Sequence, residues 1–189
     1  YSGEGKPLTE FDVFHKCHTK ALAFCKEYGF DHVMWGYEDC ENLLKDHYPK
    51  YLEMWQNFPQ PVMKGDFIRY IILYHHGGIY MDMDMYPVKD FTALLSNKEL
   101  FTTWHDDKRK LPYYALMLSE KNNPLFKEIA EHSEESYYEK IKLPIYEKWT
   151  GRLVFQTTGH FMIKRVIKKY NIIPGDYVRV YTKNNRVVE

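Results

Sequence analysis

The sequence predicts a single α/β domain, a sheet flanked by helices. Its 189 residues suit one domain with a sizeable core. Strand-like and helix-like patterns alternate along the chain, which favours an α/β arrangement. A central run from Lys64 to Pro87 also changes hydrophobic period, from helical to alternating, at Gly77-Gly78.

The elements follow in order. Thr9 with Asp12 three residues later reads as a helix start, Phe11, Phe14, Leu22 and Cys25 as its buried stripe, and Gly29 as its end. Phe30 to Trp35 has the β-branched and aromatic content of a short strand. Asp39 then caps a helix through His47, which Pro49 breaks before a short helix from Tyr51 to Phe58. Pro59 and Pro61 make a linker. In the central run, Phe67, Ile71 and Tyr74, widened by Ile68 and Ile72, repeat at helical spacing. Asp66 and Arg69 are neighbours on one face of that helix, where an exposed ion pair would contribute little. Past the glycines, Ile79, Met81, Met83 and Met85 alternate with Tyr80, Asp82, Asp84 and Tyr86, predicting a strand that Pro87 stops.

Downstream, Asp90 to Leu95 reads as a helical turn, Leu100 to Trp104 as a strand, and His105 to Lys110 as a solvated loop. Tyr114 to Leu118 is a buried strand, and Asn123-Pro124 opens a helix through His132. The charged, tyrosine-rich stretch Glu134 to Trp149 reads as a lid or acceptor loop. A helix after Gly159 runs to about Lys169, and Tyr177–Tyr181 with Arg186–Val188 reads as a hairpin.

Asp82 and Asp84 carry the chemistry. Two carboxylates on one side of a strand end repel each other, and a hard cation such as Mg²⁺ or Mn²⁺ relieves that repulsion. The compound run Asp66-x-x-Arg69, Gly77-Gly78-x-Tyr80-x-Asp82-x-Asp84 resembles the glycosyltransferases that carry a DXD motif in a sugar-binding region. That family includes the fungal α-1,6-mannosyltransferases and is similar to the glucosylating cytotoxins. The resemblance implies a GT-A, Rossmann-like domain over residues 1–189, with a central mixed, mostly parallel sheet. It also implies a first strand ahead of Tyr1, whose ring would stack on the nucleotide base.

By the same resemblance Asp84 binds a metal directly, and Asp82 reaches the ribose or sugar and the metal partly through water. Asp66, Arg69, Gly78 and Tyr80 join the donor contacts. The implied cofactor is Mn²⁺, with Mg²⁺ as the other choice. The implied reaction moves a hexose or deoxyhexose from a nucleotide sugar to a glycan or glycoprotein hydroxyl, with UDP-sugars preferred to GDP-sugars. His160 stands where the family has proline in a Thr-Gly-Pro. Two readings remain open for it: a third metal ligand, which would tilt preference toward Mn²⁺, or a plain helix-start histidine. Trp35, in a segment similar to the family's Leu-Trp-x-Asp-Glu, is core or ligand. His75 and His76 read as cations favoured at a helix C-terminus. No general base is evident; Glu38, Asp106 and Asp107 are the candidates if the reaction inverts.

Composition narrows the rest. Lys+Arg and Asp+Glu are both 26, so the zero net charge gives no footprint for nucleic acid. Aromatics make up 17%, mostly core, with a minority able to stack on bases and sugars. Cys17, Cys25 and Cys40 form neither a disulfide framework nor a zinc pattern and suit a reducing compartment, hence cytoplasmic ahead of lumenal. No apolar run approaches the ~20 residues of a membrane span. Two rival functions stand beside the transferase. One is a non-catalytic carbohydrate-binding module. The other is an Asp-x-Asp phosphohydrolase, disfavoured because a helix and Gly-Gly precede the pair and Tyr86 follows it.

Overall fold

The computed structural model describes residues 12–88, 90, 99–101, 114–144, 151–169, 180–181 and 187–188. The chain divides into two compact units. One comprises Tyr1–Met34, Ile79–Leu118 and Asp176–Glu189; the other comprises Trp35–Gly78 and Ser119–Gly175.

The second unit is helical: α2 (Tyr37–His47), α3 (Pro49–Gln56), α4 (Pro61–His76), α5 (Pro124–Lys140), α6 (Gly151–Thr157) and α7 (His160–Lys169). Local chemistry sets most of its boundaries. Pro49 and Pro61 occupy the first turns of α3 and α4, where a missing N–H costs nothing. Pro61 is thus inside a helix and not in a linker. Asp39 is in the first turn of α2 and not at its cap: its Oδ2 accepts the Gly36 N–H at 2.9 Å. Asn123 caps α5 as the sequence predicts, its side chain accepting the Leu125 N–H at 2.9 Å. That helix continues through Ser133 to Lys140, into the stretch read as a lid.

The core of this unit gathers around α4. Phe67 meets Tyr51 and Phe58 edge to face at 5.2 and 5.9 Å, and Phe58 meets Tyr137 at 5.2 Å. The Trp55 indole N–H donates to the Lys64 carbonyl at 3.0 Å. Leu44, Met63, Ile71, Leu153 and Val154 complete the cluster, and Trp35 packs on its edge. Trp35 is therefore at least a core residue, 5.2 Å from the His76 ring. α4 ends where predicted. Gly77 has φ +71°, and a Cβ there would stand 2.6 Å from the Lys121 amide nitrogen, so both conformation and space call for glycine. Asn122, itself at φ 62°, donates its N–H to the Tyr74 carbonyl at 2.7 Å and satisfies that helix end.

The first unit holds α1 (Asp12–Tyr28), the strands β1 (Gly78–Met81, whose first residue belongs to the other unit), β2 (Glu99–Phe101) and β3 (Leu116–Ser119, whose last residue does), and the pair β4 (Val180–Tyr181) and β5 (Val187–Val188). Gly29 closes α1 in the left-handed conformation, with the Phe30 N–H returning to the Cys25 carbonyl at 2.8 Å. The stripe on α1 differs from expectation: Cys17 and Ala21 are buried and Leu22 is exposed. Phe30 to Trp35 forms no strand. β1, β3 and β2 form a three-stranded sheet in that order, over Met85, Ala115, Leu116 and Leu118. β4 and β5 pair antiparallel, Val180 with Val188 and Tyr181 with Val187, as the hairpin reading expects. Among the described residues the larger, mostly parallel central sheet is not seen. No helix among them is long and apolar enough to cross a membrane.

Candidate functional site

The predicted site residues fall into two groups, one in each unit. In the first unit, β1 delivers Tyr80 and Asp82. The strand is shorter than its alternation suggests: it ends at Met81, and the chain turns, with the Met85 N–H donating to the Asp82 carbonyl at 3.0 Å. The Asp82 N–H still reaches the sheet, donating to the Ala115 carbonyl at 2.8 Å. Asp82 and Asp84 thus sit on a turn leaving the sheet and not on one face of a continuous strand. Both are half-buried. The Tyr80 phenol donates to Asp82 Oδ1 at 2.7 Å, a short bond suited to an ionised acceptor. Just beyond, the Lys20 ammonium lies 3.9 Å from the centre of the Tyr86 ring.

Half-buried carboxylate oxygen, one of them oriented by a phenol, is the donor type that Mg²⁺ and Mn²⁺ prefer. Among the described residues no group of three or more His, Cys, Asp or Glu is arranged to hold a metal. A cation here would need further oxygens, and a ligand diphosphate and water supply that kind of donor.

In the second unit, Asp66 and Arg69, expected as donor contacts, form a buried pair and not the exposed ion pair that was their alternative. Asp66 is 1% exposed and Arg69 7%. Arg69 Nη2 donates to Asp66 Oδ1 at 3.0 Å and Nε donates to the Gly65 carbonyl at 3.2 Å. The Thr158 hydroxyl donates to Asp66 Oδ2 at 3.1 Å, and the Tyr70 phenol donates to the Thr158 carbonyl at 2.6 Å. The Thr-Thr-Gly turn between α6 and α7 is thereby fastened to the middle of α4. Both carboxylate oxygens are engaged, so Asp66 acts chiefly on Arg69 and Thr158. Nothing local in the sequence joins the Thr157-Thr158-Gly159 run to a residue 92 positions away.

His160 is the first residue of α7, half-buried, its ring 5.3 Å from Phe155. That position accounts for the family's proline, because the first helical residue needs no N–H partner within the helix. His75 and His76 are in the last turn of α4 as predicted, but charge is not favoured there. Partial burial, then His76, His47 and Lys121, lower the His75 pKa; partial burial, then Lys121 and His47, lower that of His76. The Tyr48 hydroxyl and His75 Nδ1 are 3.0 Å apart. Gly78, at φ +94°, has open space where a side chain would be. Glu38 is exposed in the first turn of α2. Tyr1, Asp106 and Asp107 lie outside the described residues.

The glycosyltransferase family described as a sugar-binding region containing a DXD motif matches residues 13–101, a span that includes both groups' Asp66, Arg69, Asp82 and Asp84. An uncharacterised glycosyltransferase of Acanthamoeba polyphaga mimivirus is 38% identical over 90 residues, 47% of this chain and 35% of that protein. Inositol phosphoceramide mannosyltransferase 1 of Schizosaccharomyces pombe is 27% identical over 154 residues, 82% of this chain and 46% of its own length. The chain thus spans less than half of either relative. Among solved structures, the PaToxG glycosyltransferase superposes with a TM-score of 0.54 over 87% of this chain and 64% of that one, at 16% identity, which speaks to fold alone. Residues 13–101 thus match the model of the DXD-containing sugar-binding region, and both curated relatives are named as glycosyltransferases.

Proposed function

We propose that the chain is one catalytic domain, residues 1–189, of a metal-dependent glycosyltransferase that moves a hexosyl group from a nucleotide sugar to an acceptor hydroxyl. The observation that carries this is the Asp82-x-Asp84 turn at the sheet end, with Tyr80 orienting Asp82. Breaking the donor's glycosidic bond leaves negative charge on a diphosphate. A divalent cation, Mn²⁺ ahead of Mg²⁺, supplies the neutralising charge when bound. Asp84 and Asp82 would hold it, and Asp82, fixed by the Tyr80 phenol, would also take a ribose or sugar hydroxyl. Gly78 leaves room for a ligand to approach the backbone. Arg69, set by Asp66, presents guanidinium N–H groups to sugar hydroxyls. The Tyr1 ring stacks on the base.

The mannosyltransferase relative moves the donor preference away from UDP-sugars and toward GDP-mannose. The inositol phosphoceramide in that relative's name adds a glycolipid hydroxyl to the glycan and glycoprotein acceptors that the motif alone suggests. The test is release of nucleoside diphosphate from a panel of GDP- and UDP-sugars with and without Mn²⁺. The expected result is metal-dependent release, strongest from GDP-mannose, that Asp84→Ala abolishes together with metal-dependent donor binding. Near-normal turnover of Asp84→Ala overturns the assignment of the metal. Absence of both release and donor binding from every sugar overturns the enzyme in favour of a carbohydrate-binding module.

A further inference from the structure

The segment that forms α6 and α7 stands apart from the rest of the chain in charge and exposure. Between Gly151 and Lys169 lie five basic residues, Arg152, Lys164, Arg165, Lys168 and Lys169, and no acid, in a chain whose net charge is zero. α7 buries Met162, Ile163, Val166 and Ile167 in the core. Phe161 belongs to the opposite face, 40% exposed, with Lys164, Arg165 and Lys168 at three, four and seven residues beyond it. Phe155 of α6 is 39% exposed, and its ring meets Phe161 edge to face at 6.1 Å. Two touching phenyl rings therefore stand at the surface beside a row of cations.

Part of that charge is met locally, and Arg152, Arg165 and Lys168 carry the surface. Glu128 of α5 takes Lys169 at 3.6 Å. Glu131 and Glu134 are engaged by Lys127 and Lys50. Arg165 is held by neutral acceptors, the Ser136 hydroxyl and the Gln156 carbonyl, so its charge is not cancelled by them. Paired phenyl rings flanked by cationic side chains suit a surface that lies on a bilayer, the rings entering the boundary between headgroups and acyl chains and the long cationic side chains reaching the phosphates.

We propose that the α6–α7 surface docks on an anionic lipid bilayer, with Phe155 and Phe161 entering the headgroup region and Arg152, Arg165 and Lys168 facing its phosphates. The proposal rests on exposure and charge alone and needs neither donor nor metal. The experiment is sedimentation of the purified chain with phosphatidylcholine vesicles, with and without phosphatidylserine, in the absence of nucleotide sugar. The expected result is binding that needs phosphatidylserine and weakens with salt. Arg152→Ala with Lys168→Ala weakens it by roughly 25-fold, about fivefold per cation. Phe155→Ser with Phe161→Ser removes it, while circular dichroism and the thermal midpoint show the fold retained. No sedimentation of the wild-type chain overturns the proposal, as does undiminished binding of the double serine variant. Equal retention of both proteins on heparin, without vesicle binding, assigns the surface to soluble polyanions instead. Any of those results leaves the transferase assay untouched.

Discussion

Replacing Arg69 by methionine tests whether the Asp66/Arg69 pair is the buried support that the structure shows. The stem still packs, but the guanidinium that meets Asp66 Oδ1 at 3.0 Å is gone. Asp66 keeps the Thr158 hydroxyl on its other oxygen. Removing one partner of a buried pair costs about 3–5 kcal/mol, because a charge is left without its counter-ion in poor solvent. The remaining Thr158 bond places the expected loss near the lower end, at about 3 kcal/mol. An exposed helix pair would lose about 0.3–0.5 kcal/mol, so the two readings differ several-fold. Urea unfolding followed by helical ellipticity measures the difference, since the pair joins α4 to the α6–α7 turn inside the helical unit.

The second arm is Asp66→Leu with Arg69→Met. An apolar pair of similar size no longer buries a lone charge, so the double variant recovers most of the stability lost by Arg69→Met. Donor binding stays lost if the proposed sugar contacts are real. A loss below about 1 kcal/mol for Arg69→Met refutes the buried-support argument. A double variant as unstable as the sum of its parts refutes it too.

Three further outcomes are expected. His160→Ala should leave the Mn²⁺ concentration needed for half-maximal turnover unchanged, since no third protein ligand stands beside Asp82 and Asp84 among the described residues, and a raised requirement would place His160 in the metal shell. Gly77→Ala should destabilise the chain by about 1–3 kcal/mol through strain at positive φ plus the close Lys121 backbone, and Gly78→Ala, with open space around it, by less; equal melting of the two variants contradicts the contact. Stability should fall as pH drops through about 6.5, because the unfolded chain protonates His75 and His76 before the folded one does. Changing both histidines to glutamine should flatten that dependence, and an unaltered slope between thermal midpoints assigns it to other groups.

What could be read from sequence was what local chemistry decides. Asn123-Pro124 announces a cap because cap and helix are adjacent in the chain. Gly77 ends α4 because a left-handed residue is needed at one position. The candidate turn was legible for the same reason: Tyr80, Asp82 and Asp84 lie within five residues. Periodicity misled where pairing was the real determinant. The alternation from Ile79 to Tyr86 runs past the strand, since the ladder stops when the Met85 amide turns back to the Asp82 carbonyl. Phe30 to Trp35 has strand composition and no strand, because β-propensity is realised only against a partner. Conversely α6, with Val154, Phe155 and Thr157, is poor in helix formers yet folds as a helix with Leu153 and Val154 in the core.

Asp66 and Arg69 show the deeper limit. Polar residues on a helix read as a solvated face, because sequence does not reveal a satisfied polar group in the interior. Here Asp66 meets Arg69 and Thr158, Arg69 also reaches the Gly65 carbonyl, and Tyr70 donates to Thr158; α4 can therefore be buried on nearly every side. A helix read as amphipathic is in fact a central post. The motif pair at its middle and the acidic turn after its glycines answer to different constraints, packing at Asp66 and partial exposure at Asp82 and Asp84. Substitutions at Asp66 must therefore be judged first by stability, and those at Asp84 by turnover. The two classes of variant test separate parts of the proposed transferase site.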